Sequence, residues 1–334
     1  MIIIRVPLRI SFFGGGTDYP AWYRHHGGAV ISTTIDKFCY ISARQLPPFF
    51  NHRIRLAYSQ VEHCKTVDEI QHPGFREILR YHHIEGDVEL HYDADLPARS
   101  GMGSSSAFAV GLLHALHALK GRAITPRELA LEAIYVEREM MKETVGSQDQ
   151  VAVAHGGLNH IQFDPNDTFI VKPLQLSPDF LSALSSHLML YFTGTERIAS
   201  EIAKAYTPAF VDRGRDVRSL GELVDAALES LRQQDLAGFG RLLHEGWCLK
   251  RSLSPSITSG AIDNIYNVAC SAGALGGKIL GAGGGGFMLL FAPPERQPVI
   301  HESLKPLLRV PFEFEVDGSK IIYNNREKFP SEAI

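Results

Sequence analysis

The segment Ser100-Gly101-Met102-Gly103-Ser104-Ser105-Ser106 carries four hydroxyls and two glycines within seven residues. Glycine lets a backbone turn sharply and come close to a ligand. An alternating run, Asp87-Val88-Glu89-Leu90-His91-Tyr92, precedes it and reads as a strand. An apolar run of good helix formers, Ala107 to Leu116, follows it. Strand, glycine loop and hydroxyl-rich helix start place unpaired first-turn amides and the positive end of a helix dipole at one spot. That arrangement suits a phosphate. An ordinary N-cap needs only one serine, and this plainer reading stands beside the first.

Two more glycine-rich stretches flank this one. Gly14-Gly15-Gly16-Thr17-Asp18 makes a sharp loop that would present Asp18 and its backbone to a small molecule, or would merely join two elements. Gly281-Ala282-Gly283-Gly284-Gly285-Gly286 formally fits GxGxxG. A dinucleotide fold needs a strand before that motif and a helix after it. Here Phe287 to Phe291 reads as a buried strand and the preceding element as a helix, so the dinucleotide reading fails. No GxxxxGK[ST] is present either. Four glycines before a strand still imply close approach of another backbone or of a ligand.

The elements that must position these loops follow from periodicity. Strands are expected at residues 2–6, 29–35, 38–43, 54–58, 158–163, 169–171, 187–192, 286–291 and 312–316. Helices are expected around 68–82, from 129 to about 142, at 216–234, 236–249 and 259–271, and within 299–308. Thr125-Pro126-Arg127-Glu128 is a capping box with Pro at the first helical position. Ser147-Gln148-Asp149-Gln150, behind the helix-breaking Gly146, carries the same Ser-x-x-Gln pattern. The mixture predicts an α+β chain, divided near residues 173–190 where Ser and Pro accumulate. We place the two domains at 1–180 and 181–334.

The chain has 334 residues, is 45% hydrophobic and 21% charged, and carries a net charge of −4. No basic excess points to nucleic acid or to a membrane surface, and no apolar run approaches a membrane span. Met1 to Val6 is too short an apolar start for a signal peptide. The four cysteines show no CxxC spacing and read as reduced thiols of a cytoplasmic protein. His25-His26 and His82-His83 read as surface pairs. His114 and His117 share one helix face and are expected to be exposed rather than metal-bound.

Taken in order, Pro7 to Asp18, Leu96 to Ala107 and Lys278 to Phe287 resemble the three glycine-rich motifs of the GHMP kinases, over nearly the whole chain. The resemblance implies a two-domain α+β fold, the N-terminal domain like ribosomal S5 domain 2 with a left-handed βαβ unit, the C-terminal one ferredoxin-like. It implies ATP as phosphoryl donor and Mg²⁺ as cofactor. Ser100, Gly101, Met102, Gly103, Ser104, Ser105 and Ser106 would hold the ATP phosphates. Ser105, ahead of Ser104, and Glu137, ahead of Glu139 and Glu143, would be the metal ligands. Ser106 would do no more than begin the helix. The family's Gly-x-x-Asp-Gln segment is Gly146 to Gln150 here, so Asp149 would be the catalytic base and Arg9 would stabilise the transferred phosphoryl group. Read plainly, Asp149 is a first-turn carboxylate that complements a helix dipole.

Gly14, Gly15, Gly16, Thr17, Asp18, Gly283 and Gly284 would meet the substrate, with Asp18 on sugar hydroxyls. The Glu and His found before Thr-Asp in galactokinases are replaced here by glycines, which argues against galactose. Pro7 to Asp18 and His26 to Lys37 resemble the branch that phosphorylates O1 of D-glycero-α-D-manno-heptose 7-phosphate, on the route to GDP-heptose for surface polysaccharide. An L-fucokinase-like sugar 1-kinase is the alternative, a non-catalytic sugar-sensing regulator a lesser one. A distal phosphate calls for cations: Lys37, Arg99, Arg138 or Arg197, with Arg197 preferred. The expected partners are therefore ATP and a sugar phosphate, without nucleic acid or membrane. A homodimer is left open.

Overall fold

The computed structural model describes residues 1–194, 202 and 214–325. Two sheets organise it. The first is built on β1 (Ile2–Phe13) and β2 (Gly28–Gln45), long antiparallel partners. β5 (Val88–Ala94) continues from β2, then β3 (Ile54–Ala57), parallel to β5, then β4 (Val61–Cys64). The hairpin of β6 (Asn159–Phe163) and β7 (Phe169–Pro173) also pairs with β2. The second sheet has the order β11 (Leu308–Arg309), β8 (Leu188–Phe192), β10 (Phe287–Phe291), β9 (Gly276–Ile279). After it the chain returns: β12 (Phe314–Glu315) pairs with β2, and β13 (Lys320–Asn324) with β1. The expected division at 180 and 181 falls inside a helix, Pro178–Ser186.

The helix that follows the serine-rich loop, α3 (Ser104–Leu119), is the centre of the first unit. Twelve of its sixteen residues are buried. It is apolar on nearly every face, as a helix enclosed on all sides must be. It packs on β1, β2, α2 (Pro73–Tyr81), α4 (Pro126–Tyr135) and α5 (Gln148–His155). The second sheet is covered by α8 (Leu236–Ser252), which in turn packs on α7 (Gly214–Arg232), and by α9 (Gly260–Ser271). The remaining helices are α1 (Pro20–His26), α6 (Pro178–Ser186) and α10 (Gln297–Ser303).

Several local expectations are corrected. The first strand does not stop at residue 6. Pro7 sits where the pairing with β2 shifts register, the kind of irregularity that tolerates a missing N–H, and the strand runs on to Phe13. Arg9 is therefore carried on a strand, not a loop. Residues 29–35 and 38–43 are one strand, unbroken by Asp36 and Lys37. The helix from Leu129 ends at Tyr135 and widens into a π-turn over Val136–Met140. The element before the third glycine tract is β9, not a helix, so the tract links two antiparallel strands. The Thr125 capping box forms. That of Ser147 does not: its hydroxyl reaches Tyr23 and Arg138, and Gln150 turns to Glu137. Asp18 takes over as cap, its backbone carbonyl accepting from Ser147 N and its carboxylate from Gln148 N. His82 is buried and His117 half-buried where α2 ends against α3, and His114 is half-buried with its ring nitrogen on Ser319.

Candidate active site

Arg9, on β1, is 2% exposed. Its guanidinium grips Asp149 in a two-pronged pair, Nε to Oδ1 at 2.8 Å and Nη2 to Oδ2 at 2.7 Å. Nη1 donates to the Gly101 carbonyl at 2.6 Å, and the Arg9 backbone N–H donates to the Met102 carbonyl at 3.1 Å. Asp149 lies in the first turn of α5 and keeps about a quarter of its side chain exposed. So one buried cation orients a carboxylate that still faces solvent and holds the serine-rich loop beside it. Gly103, in the left-handed region with φ +75°, brings that loop against Asp149: a Cβ there would lie 3.5 Å from Oδ2.

The serines divide the work. Ser100 Oγ donates to the Pro97 carbonyl, and the Met102 side chain is core. Ser104 is buried, whereas Ser105 opens to solvent. Ser105 Oγ also donates to Glu137 Oε1 at 3.1 Å. Ser106 does more than start the helix: its hydroxyl reaches both Glu137 oxygens, at 3.3 and 3.0 Å. The π-turn carries Glu137 into this position, and Gln150 donates to it from α5. π-turns are frequent at functional sites. Burial, and next the neighbouring Glu143, push Glu137 up to about 7. A fully buried carboxylate whose donors are neutral is an incomplete charge arrangement. Hydroxyl and carboxylate oxygens are the donor set of a small hard cation. Glu139 is exposed beside Lys142.

The first glycine loop is joined to the same centre. The Asp18 carboxylate is buried, accepts from Gly16 N at 2.9 Å, and burial raises its pKa, Asp149 adding to the effect. Gly146 must be glycine, since a Cβ there would sit 1.9 Å from Asp18 Oδ2. The Thr17 hydroxyl is occupied by the backbone of Gly14 and Ala29. A narrow cleft beside Gly14 and Gly15 is lined by Phe12, Leu220, Lys250 and Lys278. Ser11 Oγ and Gln148 Oε1, near Gly15, are buried with no hydrogen-bond partner. Lys250, from α8, donates to the Gly281 carbonyl, and burial, then Arg9, lower it to about 8. Lys278 donates to the Phe12 carbonyl at 3.0 Å and is held well below the usual lysine range, chiefly by burial. Lys250 escaped the sequence reading because an isolated Lys on an amphipathic helix carries no motif.

The third tract presses on the second. A Cβ on Gly101 would lie 2.3 Å from the Leu280 carbonyl, and one on Gly286 2.1 Å from the Ser100 carbonyl. Gly284 N–H is taken by the Ile257 carbonyl at 2.8 Å, and Gly283 packs on Ile257. Of the cations considered for a distal phosphate, Lys37 pairs with Asp36 and Arg99 is exposed. Arg138 is partly buried against Tyr23 and Ser147. Arg197 lies outside the described residues.

The GHMP kinases N terminal domain matches residues 70–157 and the GHMP kinases C terminal domain residues 227–305. The chain belongs to the GHMP kinases, whose phosphoryl donor is ATP. A D-glycero-alpha-D-manno-heptose 7-phosphate kinase from Campylobacter jejuni is 28% identical over 316 residues, 90% of this chain and 92% of that protein. The bifunctional fucokinase/GDP-fucose pyrophosphorylase of Arabidopsis thaliana is 24% identical over 86% of this chain, which spans 30% of that larger protein. In fold, a D-glycero-D-manno-heptose 1-phosphate kinase from Bacteroides thetaiotaomicron superposes with a TM-score of 0.79 at 24% identity, over 97% of this chain and all of the other. Among the described residues no helix is long and apolar enough to cross a membrane.

Proposed function

We propose that the protein transfers the γ-phosphoryl group of ATP to the anomeric O1 of D-glycero-α-D-manno-heptose 7-phosphate, giving the 1,7-bisphosphate on the route to GDP-heptose for surface polysaccharide. The observation that carries the chemistry is the Arg9–Asp149 pair set against the serine-rich loop. Phosphoryl transfer has a loose transition state, so positioning and charge stabilisation supply most of the catalysis. The loop amides and hydroxyls of Ser100 to Ser106 hold the nucleotide phosphates. O1 attacks the γ-phosphorus, the bond to the β-phosphate bridging oxygen breaks, ADP leaves, and the O1 proton passes to Asp149. Arg9 fixes the orientation of Asp149 and offsets charge on the transferred group. Ser105 and Glu137 are the residues that would hold Mg²⁺, which supplies charge neutralisation on the phosphates. Gly14 and Gly15 line the cleft assigned to the sugar, where Ser11 and Gln148 have unused polar atoms for its hydroxyls; Gly16, Thr17, Asp18, Gly283 and Gly284 are assigned to the substrate by family resemblance alone.

The 28% identical relative supports heptose 7-phosphate as substrate; the fucokinase relative favours a second reading, a 6-deoxysugar 1-kinase. A panel of heptose 7-phosphate, heptose, mannose, fucose and galactose, with coupled ADP release as readout, separates them. Faster turnover of fucose or galactose than of the heptose phosphate would overturn the first assignment. ATP and sugar binding without ADP release would mark a regulator.

A further inference from the structure

We propose that His82, His117 and Glu132 form a binding site for one zinc-type divalent ion that ties α2, α3 and α4 together. The three residues come from three elements: His82 caps the C-terminus of α2, His117 lies in the last turn of α3, and Glu132 is on α4. One donor atom of each lies within 4.8 Å of the other two. His117 Nε2 and Glu132 Oε2 are already 2.8 Å apart. The His82 and His117 rings meet edge to face with centroids 4.7 Å apart.

The cluster is removed from bulk water yet poorly satisfied. His82 is 6% exposed and the His117 side chain 13%. His82 Nε2 and His117 Nδ1 are buried with no hydrogen-bond partner. A buried polar atom without a partner costs free energy and calls for a ligand, a water or a function. Glu132 supplies a negative charge, and the Tyr81 hydroxyl reaches its carboxylate, an outer contact that would orient it. Lys120 donates to the His82 backbone carbonyl, and Arg122 and His83 add positive charge near His82.

Two imidazoles and a carboxylate select zinc and its transition-series neighbours over Mg²⁺. The site therefore differs in kind from the all-oxygen pocket of Ser105 and Glu137. Ligands about 2.1 Å from a tetrahedral ion lie roughly 3.4 Å apart, so the His117–Glu132 pair, now 2.8 Å apart, would open by about half an ångström to admit the ion. His117 is thirteen residues along α3 from Ser104, about 20 Å at the helical rise. At that distance the ion acts on the stability of the helical layer rather than on the chemistry, and the inference is independent of the sugar-kinase reading.

The test uses the untagged full chain, freed of metal with a chelator and titrated with ZnCl₂. The expected result is one saturable equivalent and a Tm raised by several degrees at a hundredfold excess over Kd. His117→Gln and Glu132→Gln should each weaken zinc binding by about tenfold or more, while His25→Asn/His26→Asn leaves it intact. Should a variant misfold, Co²⁺ added to the wild-type chain gives the second readout: strong visible bands of a four- or five-coordinate ion support the site. Weak octahedral bands, no saturable uptake, loss of binding in the His25/His26 variant, or displacement of zinc by millimolar Mg²⁺ would each overturn it.

Discussion

Arg9 is held by four polar contacts, two to Asp149 and one each to the Gly101 and Met102 carbonyls. A carboxylate gripped in this way cannot rotate, so its free face is aimed. Asp149→Asn keeps the shape and removes the proton acceptor. We expect kcat to fall by about 10²-fold or more with the melting temperature nearly unchanged, and wild-type kcat would remove Asp149 from the mechanism. Glu137 gives a prediction in pH. Its folded-state pKa is raised to about 7 from 4.5. Its contribution to stability is therefore fully present below the unfolded value and is lost as pH rises through about 7, an effect on the order of 3 kcal/mol. In metal-free protein, Glu137→Gln should thus gain on wild type between pH 5 and pH 8. Parallel melting curves at the two pH values would refute the buried, cation-free carboxylate. Arg9, Asp149 and Ser105 were singled out by motif resemblance and Glu137 by its place one helix upstream of Asp149; the fold brings Arg9 against Asp149 and Ser105 against Glu137, and their roles in the reaction are proposals. The contact of Ser106 with Glu137 was not legible, because neither spacing nor residue type tells which way a first-turn hydroxyl points.

At the scale of elements, strands and amphipathic helices were legible wherever periodicity was undiluted. α7 and α9 lie within about two residues of expectation. The misses have physical causes. Pro7 reads as a strand end, yet a register shift accommodates it. The Ser147 pattern reads as a capping box, yet Asp18, 129 residues away in sequence, does the capping, and only tertiary structure brings it there. The π-turn at Val136–Met140 has the composition of an ordinary helix, so nothing local announces it. The glycine contacts lead to a prediction at this scale. Gly286→Ala puts a Cβ 2.1 Å from the Ser100 carbonyl, at a φ of +89° that favours glycine. It should lower the melting temperature and raise KM for ATP together, because the obstructed carbonyl belongs to the phosphate loop. A change in neither would separate the third tract from that loop.

For the whole molecule, the α+β class was legible and the path of the chain was not. β12 and β13 leave the second sheet and complete the first, pairing with β2 and β1. Pairing across some 300 residues has no local signal. The span proposed as a second domain, 181–334, thus sends two strands back to the sheet of the span proposed as the first, 1–180. A fragment of residues 1–187 lacks those strands and the third glycine tract, and we expect it to show no cooperative melt, whereas the full chain shows one; a sharp transition in the fragment would establish an autonomous N-terminal unit. The backbone seam between Ser100-Gly101 and Leu280 to Phe287 joins the two sheets where the nucleotide phosphates are proposed to sit. Such a seam has no slack. The amide of Phe287, bonded to the Ser100 carbonyl, should exchange its hydrogen only when the entire structure opens, with or without ADP. The cradle is thus pre-organised before any nucleotide arrives, and little ordering entropy is lost there on binding.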